Sequence, residues 1–241
     1  MTLEYVPLLK VQRDLYDLPR GFERFREYIR TMTGGSDELK LPLVAMNPMG
    51  KEHLPPFLDH LLAIDADGVG ARALGDAASA LADESGDYRA CLVVSDDLKG
   101  GWTNRYASEF SYRFEQRAMY RRAWLPAILW TSETYDATLV RAEVLECIYR
   151  VVHVQRHGPP RTLGEMLTQE SDVMRSAGST APRLADDDLS YRREVLREYA
   201  SATDRATLIA ALFGDGAARD LGYQPLGLSP RAGLALAAAG L

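Results

Sequence analysis

Three short apolar runs, each closed by turn residues, constrain this chain more than any other feature. Leu-Pro-Leu-Val-Ala-Met (41–46) ends in Asn47-Pro48-Met49-Gly50. Tyr88 to Val94 ends in Ser95-Asp96-Asp97, and Trp124 to Trp130 ends in Thr131-Ser132-Glu133. None of them alternates apolar and polar positions strictly. Runs of this length without alternation are what strands buried on both faces require, and such strands belong to parallel sheets.

The stretches between the runs carry helical spacing. Leu54 to Ile64 and Val69 to Ala82 separate the first two, Asn104 to Met119 separates the second and third, and Ala137 to His157 follows. Alternation of strand and helix predicts right-handed crossovers and a small, about three-stranded parallel sheet covered by helices. Ahead of the sheet, Leu8, Val11, Leu15 and Leu18, then Phe22, Phe25, Ile29 and Met32, recur at spacings of three and four around Pro19. They predict an N-terminal helical hairpin over 1–35, each helix burying its apolar stripe. After residue 160 the pattern is all-helical. Thr162-Leu-Gly-Glu165 is a capping box opening a helix to about Ala177. Further helices are expected near 187–202, 204–213 and 230–239, with a connector at 178–186 containing Pro182. The expected fold is a helix-dominated α/β protein, with a core over 1–160 and a helical C-terminal region over 161–241 packed on it.

Composition excludes several classes. The 241 residues carry 28 Lys and Arg against 34 Asp and Glu, a formal charge of −6. A mildly acidic chain without a lysine-rich tract lacks the electrostatic footprint of a general nucleic-acid binder. The local cluster Arg113, Arg117, Arg121 and Arg122 reads as a solvated helix face. No apolar run is long enough to span a membrane, and Met1 to Pro7 lacks a signal-peptide pattern, so a cytoplasmic location is expected. Cys91 and Cys147 lie within apolar runs and read as buried free thiols.

In open parallel sheets, ligands collect beyond the carboxyl ends of the strands. That edge carries Asn47 and Met49, Asp96 and Asp97, and Ser132 and Glu133, with His53 just beyond the first turn. Asp96, Asp97 and Glu133 are a candidate set for a hard divalent cation such as Mg2+. Between Asp96 and Tyr106 the chain reads Asp-Asp-Leu-Lys-Gly-Gly-Trp-Thr-Asn-Arg-Tyr. Gly100 and Gly101 allow close backbone approach to an anion. Lys99 and Arg105 add charge, Trp102 a stacking plate, Thr103 a helix cap, and Asn47 and Asn104 further hydrogen bonds. His53, with Asp97 and Glu133, is the candidate for proton transfer. The same residues have a plainer reading: Asp-Asp and Gly-Gly make turns, and Arg105 pairs with Asp96 or Asp97.

Two other patterns are weaker. Gly68-Val-Gly70-Ala-Arg-Ala73 fits a relaxed dinucleotide fingerprint, but the residues before it read as a helix rather than a strand. His153 and His157 stand one turn apart, a spacing that can bind zinc and that also suits the C-terminal end of a helix dipole. The expected function is an enzyme acting on a small phosphorylated or anionic ligand with metal assistance at the sheet edge. The alternative is a non-catalytic binding or assembly protein, a homodimer joined by apolar helices at either end, in which the acid and arginine cluster is structural.

Overall fold

Strand β2 (Asp87–Ser95) occupies the centre of a three-stranded sheet, with β1 (Thr2–Tyr5) on one side and β3 (Trp124–Trp130) on the other, both parallel to it. The computed structural model describes residues 1–98, 103–179 and 186–240. The chain falls into two compact units: Met1–Asn104 with Arg117–Ile148, and Arg105–Gln116 with the residues from Tyr149 onward.

The apolar runs at 88–94 and 124–130 are strands, and every residue of β3 is buried. Pro126 is tolerated there because β3 is an edge strand, where a missing N–H breaks no second ladder. The run at 41–46 is not a strand: Leu43–Ala45 form one 3-10 turn with Val44 exposed. Pro42 supplies no donor, and β1 and β3 already hold both edges of β2. The third strand is β1, where the hairpin was expected to begin. It is a four-residue, half-exposed edge strand.

Because β1 is short, its pairing with β2 ends at Tyr5 opposite Ala90, with one further bond from Val6 N to Ala90 O. Gln12 continues it. On helix α1 (Leu9–Leu15), its fully buried amide donates to Leu92 O at 3.0 Å and accepts from Val94 N at 2.8 Å. One side chain thus satisfies the edge groups that the strand does not reach.

Helix α2 (Phe22–Thr33) follows, and its apolar stripe is not the buried face. Phe22 is 71% and Ile29 37% exposed, while Arg24 and Tyr28 are buried. The inward face is fixed by polar ends reaching backbone carbonyls. Arg24 donates to Leu18 O and Tyr16 O, and Tyr28 OH to Leu43 O. Helices α3 (Leu54–Ala63) and α4 (Ala66–Ala80) then return the chain to β2. Gly68 and Gly70 lie inside α4. Gly70 is there for closeness, since a Cβ would sit 2.6 Å from the Tyr5 ring, whose hydroxyl donates to Asp67. The dinucleotide reading is thereby absent.

The stretch expected as one helix over 104–119 is two, α5 (Arg105–Phe114) and α6 (Arg117–Arg121). Helix α7 spans Ala137–His157. Helix α8 (Leu163–Ala177) opens on the Thr162/Glu165 capping box and closes on left-handed Gly178. Helices α9 (Asp186–Glu198), α10 (Arg205–Phe213), α11 (Asp215–Asp220) and α12 (Ala232–Ala238) complete the second unit. The expected connector at 178–186 lies mostly outside the described residues.

The second unit has its own apolar core, built from Phe110, Phe114, Leu163, Leu212 and Phe213 among others. Beside it Glu109 receives Arg105, Arg113 and Arg231, and Glu170 receives Arg113 and Arg150. Arg113 is therefore buried on two carboxylates, which corrects the solvated reading of that cluster, whereas Arg117, Arg121 and Arg122 are exposed. Helix α12 packs against α8, α9 and α10 with Ala232 and Leu234 to Ala237 buried, so it is not a free apolar end. Among the described residues no helix is long and apolar enough to cross a membrane.

Candidate functional site

Parallel pairing brings the carboxyl ends of β2 and β3 level. Ser95 pairs with Trp130, and Thr131 N donates to Ser95 O, so Asp96 and Asp97 emerge beside Thr131 and Ser132. Asn47 and His53 reach the same edge from the loop before α3, although the residues preceding Asn47 form no strand.

Asp96 is 3% exposed, and its carboxylate gathers this edge. Oδ1 lies 2.8 Å from His53 Nε2, accepts from Leu98 N at 3.2 Å and is 3.3 Å from Thr131 Oγ1. Oδ2 accepts from Asn47 Nδ2 at 2.8 Å. Asn47 is itself held, its Oδ1 by Met49 N and its backbone oxygen by the Tyr16 hydroxyl at 2.6 Å. Burial, and then the nearby Asp96 carboxylate, push the Tyr16 phenol upward, so it stays a neutral donor.

An ionised carboxylate only accepts, so in the neutral His53 ring Nε2 carries the proton and Nδ1 the lone pair. That Nδ1 is buried and has no hydrogen-bond partner among the described residues. Buried polar atoms are normally paired, and each exception calls for a reason.

Above this buried layer is a more open one. Asp97 Oδ1 accepts from Ser132 N at 2.9 Å and Thr131 Oγ1 at 3.0 Å, and Oδ2 accepts from Ser132 Oγ at 2.6 Å. Glu133 accepts from the Tyr135 hydroxyl at 3.1 Å, and that hydroxyl accepts from Trp130 N. His60 Nε2 contacts Tyr135 O at 2.8 Å, tying α3 to the loop after β3.

Of the expected site residues, Asn47, His53, Asp96 and Asp97 thus join one hydrogen-bonded edge, with Glu133 in the loop beside it. The three carboxylates do not form a cation cage. Among the described residues no group of three or more histidine, cysteine or acidic side chains is arranged to hold a metal. Asp96 and Asp97 turn their oxygens to neighbouring donors, and Glu133 turns to Tyr135. Arg105 pairs with Glu109 at 3.0 Å. Thr103 Oγ1 is buried without a partner among the described residues, so it does not cap α5, whose first residue is Arg105 and whose preceding residue is Asn104. Lys99, Gly100, Gly101 and Trp102 lie outside the described residues.

Sequence reasoning missed Tyr16, Thr131 and Tyr135. Thr131 carried a signal, as the first polar residue after a buried strand. Tyr16 and Tyr135 carried none, because their roles are set by contacts across the fold. No family model, curated protein or solved structure gave a significant match to this chain.

Proposed function

We propose that the chain is an enzyme that moves a proton on a small, hydroxyl-bearing ligand at the carboxyl edge of its sheet. The observation that carries this reading is the His53–Asp96 contact, with Nδ1 of the same ring lacking a partner among the described residues. Asp96 orients the ring and fixes its tautomer, and Nδ1, covered in this structure, is the base that accepts a ligand proton once the ligand displaces what covers it. Asp97 and Glu133, in the more open layer, already accept from Thr131, Ser132 and Tyr135, and a ligand rich in hydroxyl donors shares or replaces those bonds. The expected anionic portion of the ligand rests on Lys99, Gly100 and Gly101, and a phosphorylated polyol combines both features. Metal assistance by Asp96, Asp97 and Glu133 is not retained.

The test is a thermal-shift panel of sugars, sugar phosphates and inorganic phosphate, run on the wild type and on His53→Gln. A ligand at about a hundred times its Kd adds roughly 2.7 kcal/mol, which for a chain of this size raises Tm by about 5–10 °C. A shift seen with the wild type and lost in a folded His53→Gln supports the reading. No shift with any compound, together with a variant that melts far lower, makes the His53–Asp96 pair structural.

One observation favours the alternative, an assembly protein: the exposure of Phe22 and Ile29, seven residues apart on α2. If that face joins two copies, Phe22→Ser lowers the mass measured by light scattering to that of one chain. Helix α12, the other expected interface, is occupied within its own unit.

A further inference from the structure

His153 and His157 stand one helical turn apart near the end of α7, their rings 4.6 Å between centroids and tilted by 41°. They line a cleft of about 570 Å3 that also includes Gly158 and, from α8, Glu165 and Asp172. The cleft lies wholly within the second unit.

The start of α8 offers an anion little. Leu163 N and Gly164 N donate to Ala202 O and Ala200 O, and Glu165 N donates to Thr162 Oγ1. The Glu165 carboxylate is turned back onto the N–H groups of Arg161 and Thr162. What the cleft does present is imidazole nitrogen. His153 Nδ1 is 3.4 Å from Asp172 Oδ2, on the far side of the ring from Nε2.

We infer that His153 and His157 bind a zinc-class divalent cation, one nitrogen from each ring, with Asp172 behind His153 as the positioning carboxylate. Imidazole is the natural ligand for such ions. Two ring nitrogens each about 2 Å from one ion in tetrahedral coordination place the ring centroids roughly 5 Å apart, so the 4.6 Å found here needs only a slight opening of the pair. A carboxylate facing the other nitrogen of a ligating histidine is the usual device for fixing its tautomer and raising its basicity. With two protein ligands the ion keeps open positions, and the cleft has room for the waters that fill them. Arg156, Arg161 and Arg175, the last paired with Asp172, are the nearby cations that oppose binding; Asp172 and Glu165 offset them, whereas Glu170 is already paired with Arg113 and Arg150.

The test is calorimetric titration of the full chain with Zn2+ alone. The wild type binds one ion. His157→Gln, a change at an exposed residue that leaves the far-UV melting curve unchanged, weakens binding at least tenfold, and His153→Gln does the same. Asp172→Asn weakens it by about tenfold and Asp172→Glu restores most of it, which a purely structural aspartate would not do. Absence of wild-type binding with Kd below about 1 mM overturns the inference. So does binding that His157→Gln leaves unchanged, because the ion then sits on other residues. If His153→Gln does not fold, the His157→Gln comparison decides alone.

Discussion

His53 Nε2 lies 2.8 Å from Asp96 Oδ1, joining the residue that precedes α3 to the carboxyl end of the central strand. Asp96→Asn replaces an acceptor of three donors, from Asn47, His53 and Leu98, by an amide that turns a donor of its own toward at least one of them. Hydrogen bonds to a charged group are worth about 1.5–3 kcal/mol each, and a buried mismatch leaves more than one unmade. The variant is expected to lose about 2–4 kcal/mol in urea unfolding. In long-range 1H–15N spectra of the neutral wild-type ring, Nε2 is protonated and Nδ1 is not. In Asp96→Asn that preference disappears.

Gln12→Leu tests how the sheet edge is completed. The substitution keeps the helix propensity and changes the side-chain volume by about one methylene, so α1 itself changes little. It leaves Leu92 O and Val94 N buried without partners, at about 1–3 kcal/mol each. Stability is expected to fall by about 2–6 kcal/mol. Hydrogen exchange at Val94 should accelerate more than at Ala90, which β1 still protects. Equal acceleration at both positions would show that Gln12 supports α1 and not the strand.

Two glycines give opposite expectations for the same change. Gly75, inside α4, has nothing within 4 Å of the place a Cβ would take, so Gly75→Ala is expected to stabilise by about 0.5–1 kcal/mol through helix propensity. At Gly233 in α12 a Cβ would lie 2.7 Å from Ala211 O and 2.9 Å from Leu212 Cα, both backbone atoms of α10. Gly233→Ala therefore pushes two helices apart, at about 1–3 kcal/mol. The Tm values of the two variants should fall on opposite sides of the wild type.

These residues also mark what a sequence can display. β2 and β3 are legible because uninterrupted burial leaves an uninterrupted apolar run, and α8 because its cap residues are local in the chain. β1 escapes because a short, half-exposed edge strand needs only two inward side chains, Leu3 and Tyr5, and resembles the start of a helix. In α2 the three-four spacing identifies which residues share a face but not which face turns inward. The Arg24 and Tyr28 bonds to distant carbonyls decide that, and those carbonyls are set by the fold. The same holds at the sheet edge. Asp96 and His53 are legible from the strand-end rule, whereas Tyr16, Tyr135 and the Gln12 bridge depend on tertiary contacts.

Acid sensitivity should concentrate at Glu170. Burial alone would raise its carboxyl, but the charges of Arg150 and Arg113, with hydrogen bonds from Arg150 and Gln169, overcome this and bring it from 4.5 to about 2. A carboxylate depressed in the folded state binds its proton more readily when unfolded. Its contribution is therefore complete above about pH 4.5 and is lost as pH falls toward 2. The shift corresponds to a contribution on the order of 3 kcal/mol. Glu170→Gln removes that countercharge from both Arg150 and Arg113, so at pH 7 it is expected to destabilise the chain by about 3–5 kcal/mol. The gap between wild type and variant in urea titrations should narrow steadily from about pH 5 to pH 2. A gap that stays constant over that range would mean that Glu170 acts through packing and not through its charge.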